Sequence, residues 1–264
     1  MARAAKQLVQ TLSRPGEAEV LRGDLALVGL PGLVFTPASG LGLPAVALGH
    51  GWMQPAMRYA GLLRHLASWG VVALAPDTQR GPLASVVSLA ADLRTALDVG
   101  TGVRLGTGDI SVDPGRLGLV GHGIGGGAAV IAAAADERVR AVALLAPAET
   151  HPSAIDAARS VSAAGLVLVA GRDKVAPPEG HAEPIASAWA GRVAVRSLPK
   201  ASHLGFLEGR YWTDALVDGK PERNTQRLTL ALTTAFVLRE LTGTSAYDDL
   251  LDSDVKGAVL QPVA

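Results

Sequence analysis

The stretch Leu117-Gly118-Leu119-Val120-Gly121-His122-Gly123-Ile124-Gly125-Gly126-Gly127, followed by Ala128-Ala129-Val130-Ile131-Ala132, decides the architecture. A short apolar run reads as a strand buried on both faces. The glycines on either side of His122 then permit a sharp turn and a close approach of backbones. The apolar residues beyond them continue past the length of a strand and read as a helix buried on all sides. A strand, a tight turn and a central helix in that order are one unit of a parallel α/β sheet.

The same alternation extends outward from that unit. Short β-type runs are expected at 25–28, 33–36, 44–48, 71–75, 117–120, 141–145, 166–169 and 193–198. Between them lie helical stripes at i, i+3, i+4 spacing. One is Tyr59, Leu62, Leu63 and Leu66; another runs from Leu83 through Val86, Val87, Ala90 and Leu93 to Leu97. Leu228, Leu232, Ala235 and Phe236 mark a last long helix, with Gly243 as its C-cap. The expectation is one α/β domain over 1–264, with its core at about 20–243 and with segments 1–19 and 244–264 peripheral to it. The acidic segment after Gly243 is expected to pack loosely or to be disordered. Segment 4–12 is expected to form a short amphipathic helix. Both are candidates for partner contacts. Segment 205–223 reads as a long polar connection.

Composition narrows the function classes. Lys plus Arg and Asp plus Glu both number 24, so the 264-residue chain carries no formal net charge and no basic surplus for nucleic acid. Cysteine is absent, which excludes disulfides, thiolate metal sites and a cysteine nucleophile. No run approaches the roughly 18 apolar residues of a membrane span, and no apolar signal core stands at 1–16. The expected location is the cytoplasm. His65, His151 and His181 have no metal-ligand partner at suitable spacing, so neither a metal nor a cofactor is expected.

Three features surround the glycine turn. His50-Gly51-Trp52 follows the run at 44–48, where a glycine-flanked turn aims a backbone N–H toward the site. Asp173 follows the run at 166–169, and a carboxylate there can orient an imidazole. His203 follows the run at 193–198. A G-x-S-x-G turn is a nucleophile elbow, and the chain order elbow, acid, histidine is that of α/β-hydrolases.

On these motifs the chain resembles the α/β-hydrolase superfamily, in the bacterial branch of dienelactone hydrolases, chlorophyllases and polyester-hydrolase-like proteins. The resemblance covers roughly 20–243. It implies an eight-stranded, mostly parallel sheet flanked by helices on both faces, with the site at the C-terminal strand edge. It also implies that His203 is the base, Asp173 its orienting acid, and the N–H groups of Trp52 and Ile124 the oxyanion donors. The nucleophile position falls on Gly123, which has no side chain.

Other polar residues have structural readings. His50 and His122 are expected to make hydrogen bonds under the turn, and Asp77 with Arg80 to form a structural pair. Glu149 is a minor alternative for the acid. Gly125–Gly127 lack the lysine and hydroxyl of a P-loop and the spacing of a dinucleotide fingerprint, so close helix–sheet packing explains them. The expected function is that of a hydrolase homologue without its serine, binding a small apolar or ester-like ligand or a protein partner. The alternatives are a serine-independent enzyme using His203 with Asp173, and an esterase or lactonase whose serine was replaced.

Overall fold

A computed structural model describes residues 2–263. The chain begins with α1 (Ala2–Leu12), then forms β1 (Val20–Asp24), β2 (Gly32–Pro37), β3 (Gly40–Gly49), α2 (Ala60–Ser68) and β4 (Val72–Pro76). Next come α3 (Val86–Gly102), β5 (Ile110–His122), α4 (Ile124–Ala134), β6 (Val139–Leu145), α5 (Ala154–Ala158) and β7 (Ala164–Ala170). The remainder is α6 (Ala182–Ser187), β8 (Val193–Leu198), α7 (Arg223–Thr242), α8 (Asp248–Leu251) and β9 (Val259–Gln261).

All of the strands join one nine-stranded sheet in the order β1-β2-β4-β3-β5-β6-β7-β8-β9. The pairings from β4 through β8 are parallel. Those of β1 with β2, β2 with β4 and β8 with β9 are antiparallel. This is the mostly parallel sheet that the alternating pattern predicts. Its apolar strands are buried on both faces by two cores, one under α1, α2, α7 and α8 and the other under α3 to α6.

Helix α4 lies at the centre, buried through Gly125–Val130. A methyl group on Gly125 would stand 2.3 Å from the Gly49 carbonyl oxygen, so α4 packs on β3 at a distance only glycine allows. Close packing, rather than phosphate binding, accounts for that glycine.

Two expected elements differ. Residues 25–28 form a 3-10 turn, not a strand. The Asp24 carboxylate accepts the Ala26 N–H at 2.8 Å, and Gly29, at φ 84°, closes the turn. Only Leu25 of the apolar run is buried. The two strands the pattern omits are the edge strands β1 and β9. The stripe expected from Leu83 starts instead at Val86, because the Ser85 hydroxyl caps the helix by accepting the Ser88 N–H. Leu83 is 96% exposed.

Segments 5–12 and 248–258 both pack on the rest of the molecule. Ala5, Val9 and Leu12 of α1 are buried, and α1 packs on α7 and α8, so its apolar face is used within the molecule. The segment beyond Gly243 is held by Arg196 of β8, whose side chain is fully buried. Its guanidinium donates to the carbonyl oxygens of Leu250, Leu251, Ser253 and Ala258 at 2.8–3.1 Å. A buried charge is costly unless its hydrogen bonds are made; backbone carbonyls serve both terminal nitrogens, while Nε is buried without a partner among the described residues. Burial lowers the Arg196 pKa. Arg196→Met should therefore destabilise the protein by about 3 kcal/mol or more, since several charge-assisted bonds are lost together. Urea unfolding measures this loss, and limited proteolysis should open the chain after Thr242 in the variant first.

Candidate active site

Gly123 stands between β5 and α4 at φ 53°, ψ −123°. That positive-φ geometry costs a residue with a side chain on the order of 1–3 kcal/mol and glycine little. The turn is fastened by the Gly123 N–H donating to Leu145 O at 3.2 Å, while Gly123 O accepts from Ala148 N at 2.9 Å. A Cβ built on Gly123 would lie 3.0 Å from His203 Nε2 and 3.8 Å from Gly51 Cα. The elbow, the histidine and the glycine loop after β3 therefore converge on one point.

His203 sits in a 3-10 turn after β8, and its ring is nearly buried. Its Nδ1 lies 2.7 Å from Asp173 Oδ2. The other carboxylate oxygen, Asp173 Oδ1, accepts the N–H groups of Val175 and Ala176 at 2.9 and 2.8 Å. Asp173 is thus held as an acceptor, and Nδ1–H donates to it. Nε2 is left with its lone pair facing the space beside Gly123. Glu149, the alternative acid, does not reach this ring. Its carboxylate accepts the Ile155 N–H, and its own N–H donates to His181 Nδ1.

The loop after β3 carries Gly51 and Trp52. Ile124 is the first residue of α4, where backbone N–H groups have no intrahelical acceptor. Among the described residues, neither the Trp52 N–H nor the Ile124 N–H has a protein acceptor. The Trp52 indole is partly exposed, and its Nε1 donates to Pro82 O at 3.0 Å. His50 lies beneath the loop, fully buried, with Nδ1 2.9 Å from Gly51 O and Nε2 2.6 Å from Thr78 O. Its ring is used up by structural contacts. Asp77 pairs with Arg80 at 3.3 Å and also accepts the Ala56 N–H, as a structural pair should.

His122 has a wider role than the sequence assigns it. Burial holds its pKa well below 6.5, and the nearby His203 adds to the shift, so the ring is neutral. Its Nε2 donates to His203 O at 3.0 Å, which leaves Nδ1 to accept from the Tyr59 hydroxyl at 2.7 Å. The Tyr59 oxygen in turn accepts the Gly51 N–H at 2.8 Å. One chain of bonds thus joins the glycine loop, the elbow and the histidine turn. Tyr59 reads in sequence only as part of an apolar helical stripe. The available signal was its hydroxyl, since a buried phenol needs a partner.

Arg58 is the other residue sequence reasoning missed. Its buried guanidinium pairs with Asp214 and donates to the carbonyl oxygens of Glu208 and Gly209. It also donates to Gln54 Oε1, and Gln54 Nε2 donates to the Thr213 hydroxyl at 3.2 Å. The connection at 205–223 is therefore pinned against the loop that carries Trp52. Three cavities, of about 740, 570 and 430 Å³, are lined by other residues than Trp52, Gly123 and His203. No cluster of metal-ligating side chains occurs among the described residues. Among them, too, no helix is long and apolar enough to cross a membrane.

The neutral His122 makes stability depend on pH. The unfolded ring takes up a proton near pH 6.5 and the native ring does not, so native stability falls as pH drops through that value. His65, also lowered by burial, acts in the same direction. Comparing the protein with His122→Gln isolates one proton. The stability gap between them should narrow by about 1.4 kcal/mol from about pH 7.5 to about pH 5.5, as read by urea unfolding.

A family model described as PET hydrolase-like matches residues 31–204. A bis(hydroxyethyl) terephthalate hydrolase of Streptomyces coelicolor is 32% identical over 196 residues, covering 72% of this chain and 57% of its own length. Cutinase est1 of Thermobifida alba is 27% identical over 177 residues, covering 67% of this chain and 55% of its own length. The match thus spans little more than half the length of these curated relatives. The family match runs from the start of β2 to the histidine turn and takes in the elbow, Asp173 and His203. With its nine-stranded, mostly parallel sheet, the chain belongs to the PET hydrolase-like family of α/β-hydrolases.

Proposed function

We propose that this protein binds an ester-like or apolar ligand across the elbow without forming an acyl-serine. The observation that carries the reading is Gly123. It occupies the nucleophile position of the turn, and His203 Nε2 stands 3.0 Å from where its Cβ would be. A side chain on residue 123 would therefore press directly on the imidazole. The remaining parts support binding of a carbonyl group. The N–H groups of Trp52 and Ile124 serve as oxyanion donors, and Gly51 brings the loop up to the elbow. The relatives' names specify ester substrates, which supports an ester-like ligand here. Exposed Trp52, Val175, Trp212 and Leu216 on the surrounding loops favour one that is largely apolar. A protein partner is the other occupant that fits such a surface.

A second reading rests on the retained bond between His203 and Asp173. With Nδ1–H donated to Asp173, Nε2 can take a proton from a water as its oxygen adds to the ligand's carbonyl carbon, and the two N–H groups stabilise the negative charge that moves onto the carbonyl oxygen. Serine hydrolases stripped of a triad member keep roughly 10³–10⁴-fold acceleration from the rest of the site. That equals about 4–5.5 kcal/mol, against about 8 kcal/mol or more for ordinary enzymes. Turnover by this route is slow.

Gly123→Ser tests the proposal. His203 must give way by a few tenths of an ångström, and the turn takes on strain of about 1–3 kcal/mol. The variant should nonetheless gain covalent labelling by a fluorophosphonate and cleave short aryl esters, while the unaltered protein does neither. Ester cleavage by the unaltered protein that His203→Ala abolishes and phosphonates leave untouched would establish the water-based reading instead.

A further inference from the structure

The cavity of about 740 Å³ lies away from the elbow, between α1, the start of α7, the end of β8 and the turn at 254–257. Its floor is apolar and well packed: Val9, Leu198, Leu228 and Val255 are all buried. Its rim is cationic: Lys6, Lys200, Arg227 and Lys256 are all exposed. Among the described residues, none of these four makes an ion pair. The one acid on the lining, Asp254, spends an oxygen on the Leu260 N–H at 2.8 Å.

Four cations against one carboxylate is a strong local excess on a chain with no net charge. The first turn of the 20-residue helix α7, through Asn224 and Thr225, adds the positive end of a helix dipole to the lining. Glu222, just before that helix, is turned to the Ser202 and Thr225 hydroxyls. A volume of this size lies within the roughly 300–1,000 Å³ range of small-molecule sites.

An apolar floor under a positive rim fits one ligand chemistry, an anionic head on an apolar tail. We propose that this cavity binds a free amphiphilic monoanion, an aliphatic carboxylate whose chain lies along Pro199 and the aliphatic stems of Lys6, Lys200 and Arg227, over the buried floor, and whose head meets the rim cations. The concave shape favours a single dissolved molecule over a flat lipid surface. The proposal is independent of what happens at Gly123.

Titration calorimetry with sodium decanoate, below its micelle concentration, tests it on the whole chain. Saturable one-to-one binding is expected, weakening as salt is added. The double charge reversal Lys200→Glu with Arg227→Glu alters only exposed side chains, and should weaken binding about tenfold or more with the unfolding temperature of the free protein little changed. Gly123→Ser should leave the affinity unchanged. Decyltrimethylammonium, with the same chain and opposite charge, should not bind there. The proposal is overturned by absent or unsaturable decanoate binding, by equal binding of the cation, or by affinity that survives the charge reversal. Sedimentation with phosphatidylglycerol vesicles but no binding of free decanoate would likewise overturn it, assigning the patch to a membrane surface.

Discussion

The site depends on one buried, neutral histidine. His122 accepts a hydrogen bond from the Tyr59 hydroxyl on one ring nitrogen and donates one to His203 O from the other. Tyr59 in turn holds the Gly51 N–H. These bonds tie together three loops that leave different strands of the sheet. If His122 were protonated, Nδ1 would become a donor and could no longer accept from Tyr59. Burial opposes that change, and so does the neighbouring His203. Desolvation, which makes a charged imidazole costly, keeps the ring neutral, and the His203 carbonyl, which can only accept, fixes its tautomer.

Much of this was readable from the chain and some was not. The central unit of β5, Gly123 and α4 was legible because glycines, an apolar strand and an apolar helix each constrain the backbone in the same sense. Asp173 and His203 were legible from their places after strands, and they meet at 2.7 Å. Glu149 was a minor alternative to Asp173, and it is Asp173 that contacts the His203 ring. The 25–28 run misled because four apolar residues carry no period, and the decisive signals were the polar and glycine residues at its ends, Asp24 and Gly29. Tyr59 and Arg58 were illegible because their partners lie far off in sequence: Tyr59 meets His122, and Arg58 meets Asp214. Edge strands β1 and β9 were missed because β1 is largely exposed and β9 spans only three residues, so neither shows an apolar pattern.

Gly123 has opposite effects on folding and on chemistry. A positive-φ turn is cheapest with glycine, so Gly123 eases the junction between β5 and α4. Gly123 also offers no side-chain atom that could attack a carbonyl. The surrounding machinery does not depend on such an atom: the bond between Asp173 and His203, the relay through His122 and the two unused N–H groups are all set by other residues. The geometry around the turn is thus fixed by neighbouring residues and not by any side chain on residue 123.

The guanidinium of Arg196 bears on how the chain is made as well as on how it stands. Domains fold as units while synthesis proceeds from the N-terminal side. Arg196 enters the sheet with β8, yet its acceptors lie more than fifty positions later, at Leu250, Leu251, Ser253 and Ala258. Until those residues have been synthesised, β8 carries a cation that the native structure buries, with only water to satisfy it. The edge of the sheet thus stays hydrated and unsealed while the stretch between β8 and Ala258 is being synthesised, and the closing step is the arrival of a few backbone carbonyls.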